Sequence, residues 1–247
     1  DIREKGRIAR ENNKLTGKIL KDKSGNTIWK PGTLKHVKAI GWFIEEYGVA
    51  QISMNLTNIE ETPIHIVFDE VCKKAEQRGV RVTGSELVGL IPLKSMIEAG
   101  KYFLKKQQRS TGVSEDEIIK IAQKTMGLDE IEKFNPNEKI IEYRIKESGA
   151  KLCHLSLTNF LQQTASESPA PGGGSISAYV GALGASLATM VANLSSHKRG
   201  WDDKWETFSI LAEKGQQYII KLEKMVDEDT DAFNGIIDAF KLEERNK

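Results

Sequence analysis

From residue 156 to residue 247 the apolar side chains recur at helical steps, and one stretch ending in Pro171-Gly172-Gly173-Gly174-Ser175 breaks the pattern. Such a pattern permits helices and little else, so this part of the chain is expected to form an all-α helical bundle. Residues 157–166 form the first helix of that reading. Ser168-Pro169-Ala170-Pro171 stops it, and a helix dense in small residues follows the glycines. A last long helix runs from about residue 203 to 242.

Residues 1–145 behave differently, mixing strand and helix signals. The charged opening, residues 1–13, reads as helical. Residues 36–43 and 49–56 are apolar runs flanking Glu45-Glu46-Tyr47-Gly48, which predicts a β-hairpin. Thr62-Pro63 predicts a helix start with Thr62 as cap, and Gly79 its end. Residues 80–82 read as a short strand, and Pro92 opens a helix to about residue 106. The expected fold is therefore α+β, an antiparallel sheet backed by helices, followed by the helical bundle. The boundaries fall at 1–147, a linker at 148–155 where Ser148-Gly149 breaks the periodicity, and 156–247.

The charge balance, 36 basic against 35 acidic residues with net +1, gives no reason to expect nucleic acid as a partner. The charged N-terminus has no apolar core behind it and no stretch reaches the length of a membrane span, so neither a signal peptide nor a membrane partner is expected. Cys72 and Cys153 are far apart and outside any metal-ligand spacing. They read as reduced thiols of a cytoplasmic protein with no metal site.

Two features suggest chemistry. The glycine turn lets the backbone approach a ligand closely, and Ser175 can cap the helix that follows. Free amides at a helix N-terminus suit an anion, which makes Gly172, Gly173, Gly174 and Ser175 candidate ligand-binding residues. The small residues after it, among them Ala178, Gly181, Ala182, Gly184, Ala185 and Ala192, equally suit close helix packing, and the turn can serve that alone. The second feature is on the last helix. Phe208, Leu211, Tyr218, Leu222, Met225, Val226, Phe233, Ile236, Ile237 and Phe240 form an apolar stripe, and Asp229 falls on it. A carboxylate facing a core is costly unless paired or protonated, and burial favours the protonated acid, which suits proton transfer. A structural hydrogen bond within a bundle is the plain alternative. Asp227 and Asp231 belong on the solvated face. Asn55, Ser85 and Glu86 stand at element ends beside apolar runs, where ligand contacts and turn or cap roles are both expected.

These residues, in order, match a known family. Pro31-Gly32-Thr33-Leu34-Lys35-His36-Val37-Lys38-Ala39-Ile40-Gly41-Trp42, Ala50-Gln51-Ile52-Ser53-Met54-Asn55-Leu56, Gly84-Ser85-Glu86-Leu87-Val88-Gly89-Leu90-Ile91-Pro92 and Ile140-Ile141-Glu142-Tyr143 resemble the C-terminal subdomain of glutamate formimidoyltransferases. The Ala170 to Ser175 turn, Gly181-Ala182-Leu183-Gly184-Ala185 and Val226-Asp227-Glu228-Asp229-Thr230-Asp231-Ala232-Phe233 resemble the cyclodeaminase. Together they resemble the formimidoyltransferase-cyclodeaminase family.

The resemblance implies a bifunctional folate enzyme of histidine degradation. It would transfer the formimino group from N-formiminoglutamate to tetrahydrofolate, its co-substrate. It would then cyclise 5-formiminotetrahydrofolate to 5,10-methenyltetrahydrofolate with release of ammonia. The resemblance also implies a homo-oligomer formed through the helical domain. Asp229 is the first candidate for the catalytic acid and Asp227 the second. Gly172, Gly173, Gly174, Ser175, Asn55, Ser85 and Glu86 are candidates for folate binding. The family's catalytic histidine has no counterpart among His36, His65, His154 and His197, and the family continues beyond Phe240, so both regions are expected to be incomplete. A methenyltetrahydrofolate cyclohydrolase, or a non-catalytic folate-binding and assembly module, are the rival expectations.

Overall fold

The computed structural model describes residues 1–14, 16–145 and 151–245, the last five as backbone only. The start of the expected linker, including Ser148-Gly149, lies outside the described residues; its remainder, residues 151–155, carries a 3-10 turn at Leu152–His154. The chain divides into two compact units, one of Asp1–Tyr102 with Ala122–Ile141, the other of Phe103–Ile121 with Glu142–Lys247.

In the first unit, β1 (Arg7–Ile8) pairs antiparallel with β2 (Trp29–Lys30), and β3 (Val37–Ile44) with β4 (Val49–Leu56). The β3–β4 hairpin follows the expectation. Gly48 takes φ +63 in the turn, a conformation that glycine adopts without a steric cost. The opening residues are not helical: β1 and a single 3-10 turn at Glu11–Asn13 replace the expected helix. Charge density there lacked an apolar face to bury, and helices gain most of their stability from such a face.

One face of the hairpin is closed by α1 (Ile64–Glu76). Ile2, Leu34, Val37 and Val67 form the buried cluster, with Ala39, Met54, Leu56 and Val71 against it. Pro63 caps α1. Thr62 does not, because its hydroxyl donates to Lys35 O at 2.8 Å. Gly79, at φ +73, follows the helix end. Residues 80–82 form no strand: Ser85 N–H bonds Gly127 O, and the stretch from Val80 to Gly89 runs as an irregular strap. Then come α2 (Leu93–Lys106), α3 (Glu115–Met126), α4 (Pro136–Lys139) and α5 (Ile141–Arg144). Ser114 accepts from Glu117 N–H at the start of α3, and Glu115, Asp116 and Glu117 complement its dipole.

The second unit is built on helices. After α6 (Leu157–Thr164), α7 (Gly173–Ser196) and α8 (Trp205–Arg245) pack antiparallel along their length. Their contact face is small. Ser175, Ala178, Ala182, Thr189, Ala192 and Ser196 are buried on α7, and Ser209, Ala212 and Val226 on α8. Gly215 lets Thr189 approach so closely that a Cβ there would lie 2.0 Å from its Oγ1. Phe160 and Tyr179 meet at a tilt of 49° beside Ala178 and Val226, with centroids 5.2 Å apart.

Two expectations fail here. The apolar stripe of α8 is only partly its core face: Val226 is buried and Phe208, Leu222 and Ile237 are half-buried, but Leu211, Tyr218, Met225, Phe233, Ile236 and Phe240 are exposed in this chain. Toward the start of α8 the small residues one position along, Ser209 and Ala212, are buried in place of Phe208 and Leu211, because they allow closer packing. And α7 is long and apolar enough, by length and composition, to cross a membrane. Its buried hydroxyls bond within the helix pair: Thr189 donates to Ala185 O at 2.8 Å, and Ser175 to Val226 O at 2.8 Å.

Candidate active site

The glycine turn and the acidic segment of α8 meet. Gly172, extended at φ −99, caps α7, so Ser175 sits inside the first turn rather than at its cap. The Ser175 N–H donates to Asp229 Oδ2 at 2.8 Å. Its hydroxyl, fully buried, has one proton, for which Val226 O at 2.8 Å and Asp229 Oδ2 at 3.1 Å compete. Thr230 Oγ1 lies 3.1 Å from Ser175 Oγ. A Cβ at Gly174 would fall 2.1 Å from Asp229 Oδ1, so only glycine admits the carboxylate at this spot. A Cβ at Gly173 would meet nothing within 4 Å. The anion at the start of α7 is thus the chain's own, and the helix dipole favours it there.

Asp229 is exposed, not buried as its place on the stripe predicts. It continues the face that points to α7, but α7 begins only at Gly173, so nothing of that helix lies beyond to cover it. Asp227 reverses expectation in the other direction. It is half-buried and accepts the Leu152 N–H at 2.7 Å, fixing the 3-10 turn Leu152–His154 onto α8. Cys153 lies in the same turn and donates to Glu223 O at 3.1 Å. Burial pushes its thiol up to about 12, with the Asp227 carboxylate adding to the effect. Asp229 Oδ1 makes no hydrogen bond among the described residues, both of its carboxylate's bonds falling on Oδ2.

The other three candidates gather in the first unit. Asn55, Ser85 and Glu86 line one cavity of about 1610 Å³. Asn55 stands opposite Lys38, and Gln51 opposite Trp42. By the pleat, Gln51, Ser53 and Asn55 share the face away from α1 with Ile40 and Trp42. The strap brings Glu86 to this edge, where it accepts from Gln51 Nε2 at 3.3 Å. Gln51 and Trp42 were not among the candidates. Their signal was the strict alternation of polar Gln51, Ser53 and Asn55 with Ile52, Met54 and Leu56, which gives the strand one polar face. His65, on α1, is buried and packs against Tyr102 with centroids 4.5 Å apart and the rings tilted by 31°; it does not line the cavity.

Residues 1–146 match the formiminotransferase domain, and residues 156–247 match the family model described as formiminotransferase-cyclodeaminase. The chain belongs to the formiminotransferase-cyclodeaminase family. A formimidoyltransferase-cyclodeaminase of Mus musculus is 38% identical over 215 residues, 86% of this chain and 40% of that protein. The chain therefore spans about 40% of the length of that formiminotransferase-cyclodeaminase relative. A glutamate formimidoyltransferase of Streptococcus pyogenes is 40% identical over 73 residues, 30% of this chain and 24% of that protein. A methenyltetrahydrofolate cyclohydrolase of Methylorubrum extorquens is 33% identical over 87 residues, 35% of this chain and 42% of that protein.

Proposed function

We propose that this chain is part of a bifunctional folate enzyme. One region takes part in formimino transfer from N-formiminoglutamate to tetrahydrofolate. The other cyclises 5-formiminotetrahydrofolate to 5,10-methenyltetrahydrofolate and releases ammonia. The observation that carries the second activity is the Asp229 carboxylate, anchored by one oxygen on the Ser175 N–H and open on the other beside a side-chain-free Gly174.

Cyclodeamination needs two proton transfers. The folate N10 loses a proton as it attacks the amidine carbon, and the leaving nitrogen gains one to depart as ammonia. A carboxylate held at one oxygen and open at the other can do both in turn, as general base and then general acid. Asp229 has that role in this reading. Asp227, tied to Leu152, positions the turn behind it. Folate approaches over Gly173, where the backbone is uncovered, with Gly172 beside it. For the transferase, Asn55, Ser85 and Glu86 contact folate or formiminoglutamate within the sheet cavity.

The same reading has the enzyme in the cytoplasm as a homo-oligomer. The exposed Val180, Leu183, Leu187, Met190, Val191 and Leu194 of α7 support self-association. The likeness to a cyclohydrolase favours a second reading for the helical region alone, opening of the methenyl ring by water. Ammonia release from 5-formiminotetrahydrofolate by the full-length protein separates the two. Asp229→Asn should abolish it with the far-UV spectrum unchanged, while Asp227→Asn should lower stability more than turnover. Undiminished ammonia release from Asp229→Asn removes Asp229 from the chemistry, and a full-length protein that hydrates methenyltetrahydrofolate without ever releasing ammonia supports the cyclohydrolase.

A further inference from the structure

Residues 103–121 lie in the stretch matched by the formiminotransferase domain, yet they pack within the compact unit of the helical pair. The contact is made by Ser110-Thr111-Gly112, the link between α2 and α3. The Ser110 hydroxyl donates to Asn193 Oδ1 at 2.7 Å and accepts the Gly112 N–H at 3.2 Å. The Asn193 amide returns the bond, donating from Nδ2 to Gly112 O at 2.9 Å. One side-chain amide on α7 thus engages a three-residue turn from both sides, using its donor and its acceptor. From α8, Gln216 Nε2 donates to the same Gly112 O at 3.4 Å, and Ser209 Oγ accepts the Thr111 N–H at 2.9 Å. The two hydroxyls, Thr111 Oγ1 and Ser209 Oγ, lie 3.0 Å apart.

The fit is close as well as polar. Ser110, Thr111 and Ser209 are 1%, 2% and 4% exposed, so these bonds form out of water. Buried polar groups lose free energy when a partner is removed, so each bond constrains the others. Gly112 lies against α8 where a Cβ would come within 2.3 Å of Ala212, which is itself fully buried. No larger residue fits without moving the helix.

We propose that Ser110-Thr111-Gly112 is an intramolecular docking latch, an interaction surface by which the formiminotransferase-like stretch closes the α7–α8 pair at the end remote from Asp229. The partner is the polar notch of Asn193, Ser209 and Gln216, together with the flat surface at Ala212. The helical pair then does not reach full protection on the cyclodeaminase-like sequence alone. Residues on both sides of the family boundary hold it shut. Asn193 and Ser175 are 18 positions apart on α7, about 27 Å of helix, so the latch and the Asp229 carboxylate sit toward opposite ends of one rigid element.

Amide hydrogen exchange on the full-length protein tests this. Gly112→Val should raise exchange in the last turns of α7 and the first turns of α8 at least about tenfold, leaving the β3–β4 hairpin unchanged. Because Gly112→Val risks a wider collapse, Ser110→Ala, Asn193→Ala and their double variant form a milder cycle. Their effects on exchange should be strongly non-additive, the double variant being little worse than either single one. Additive effects in the cycle, or unchanged α7 and α8 exchange in a folded Gly112→Val protein, overturn the latch.

Discussion

Gly174 is the position where a single methyl group separates architecture from chemistry. In Gly174→Ala the new Cβ would fall 2.1 Å from Asp229 Oδ1 and 2.5 Å from its Cγ, so the carboxylate must swing away. Replacing glycine by alanine gains about 1 kcal/mol in a helix interior and less in the first turn, where Gly174 stands. Against this, the Ser175 N–H loses a charge-assisted bond of about 1.5–3 kcal/mol in a dry site. Asp229 is exposed, so solvent screening cuts that loss to about 1 kcal/mol. The interaction with the helix dipole adds about 0.3–1 kcal/mol to the loss. The terms nearly cancel, and urea unfolding followed by helical circular dichroism should shift by about 1 kcal/mol or less. Turnover should not be spared. If Asp229 moves protons, its displacement lowers ammonia release by about 10²- to 10⁴-fold, the usual contribution of a positioned acid or base. Gly173→Ala is the control: its Cβ meets nothing, so it should add about 0.5–1 kcal/mol of stability and leave turnover intact. A Gly174→Ala protein that turns over like Gly173→Ala would refute the reasoning.

Three further outcomes can be checked on the same protein. Gly215→Val should force α8 off Thr189 and lower the thermal midpoint by several degrees, since its Cβ would meet Thr189 Oγ1 at 2.0 Å; an unchanged midpoint would mean that the helix contact is slack. Burial holds His65 below its ordinary value of 6.5, although Glu98 and Asp69 draw a proton toward it, and its Nδ1 has no bond among the described residues. The unfolded chain then takes up the proton first, so stability is full above about pH 6.5 and declines as pH falls toward the folded value. His65→Phe, which keeps a ring against Tyr102, should flatten the midpoint between pH 7 and 5, and an unaltered slope would assign that dependence elsewhere. Cys153, held near 12 by burial and Asp227, should alkylate at pH 8 at least about a hundredfold more slowly than a free thiol, read by mass spectrometry of its peptide.

The order of elements around the hairpin was legible because the local signals agree. Val37 to Ile44 and Val49 to Leu56 flank a glycine turn, and Pro63, Gly79 and Pro92 mark helix ends. The pairing of the glycine turn with the acidic segment was also within reach, since both were singled out, yet their contact was not. Sequence assigned Asp229 to the core and Asp227 to solvent, whereas Asp229 is exposed and Asp227 half-buried. Helical periodicity places a residue on a face but says nothing of where the opposing helix begins. Because α7 starts at Gly173, Asp229 reaches its first turn and is left uncovered, while Asp227 finds the Leu152 amide.

What the amino-acid order determined by itself is local: periodicity, turn chemistry and the small-residue face that lets two helices touch. Family membership follows from that order too, since it is a property of the string. Which face of α8 is buried was decided only in the tertiary structure. Close approach at Gly215, against Thr189, favours small residues such as Ala212 over the larger apolar ones beside them. The docking of Ser110-Thr111-Gly112 on Asn193 and Ser209 was likewise invisible in sequence. Its bonds join residues more than 80 positions apart, and their geometry exists only once both helices are in place.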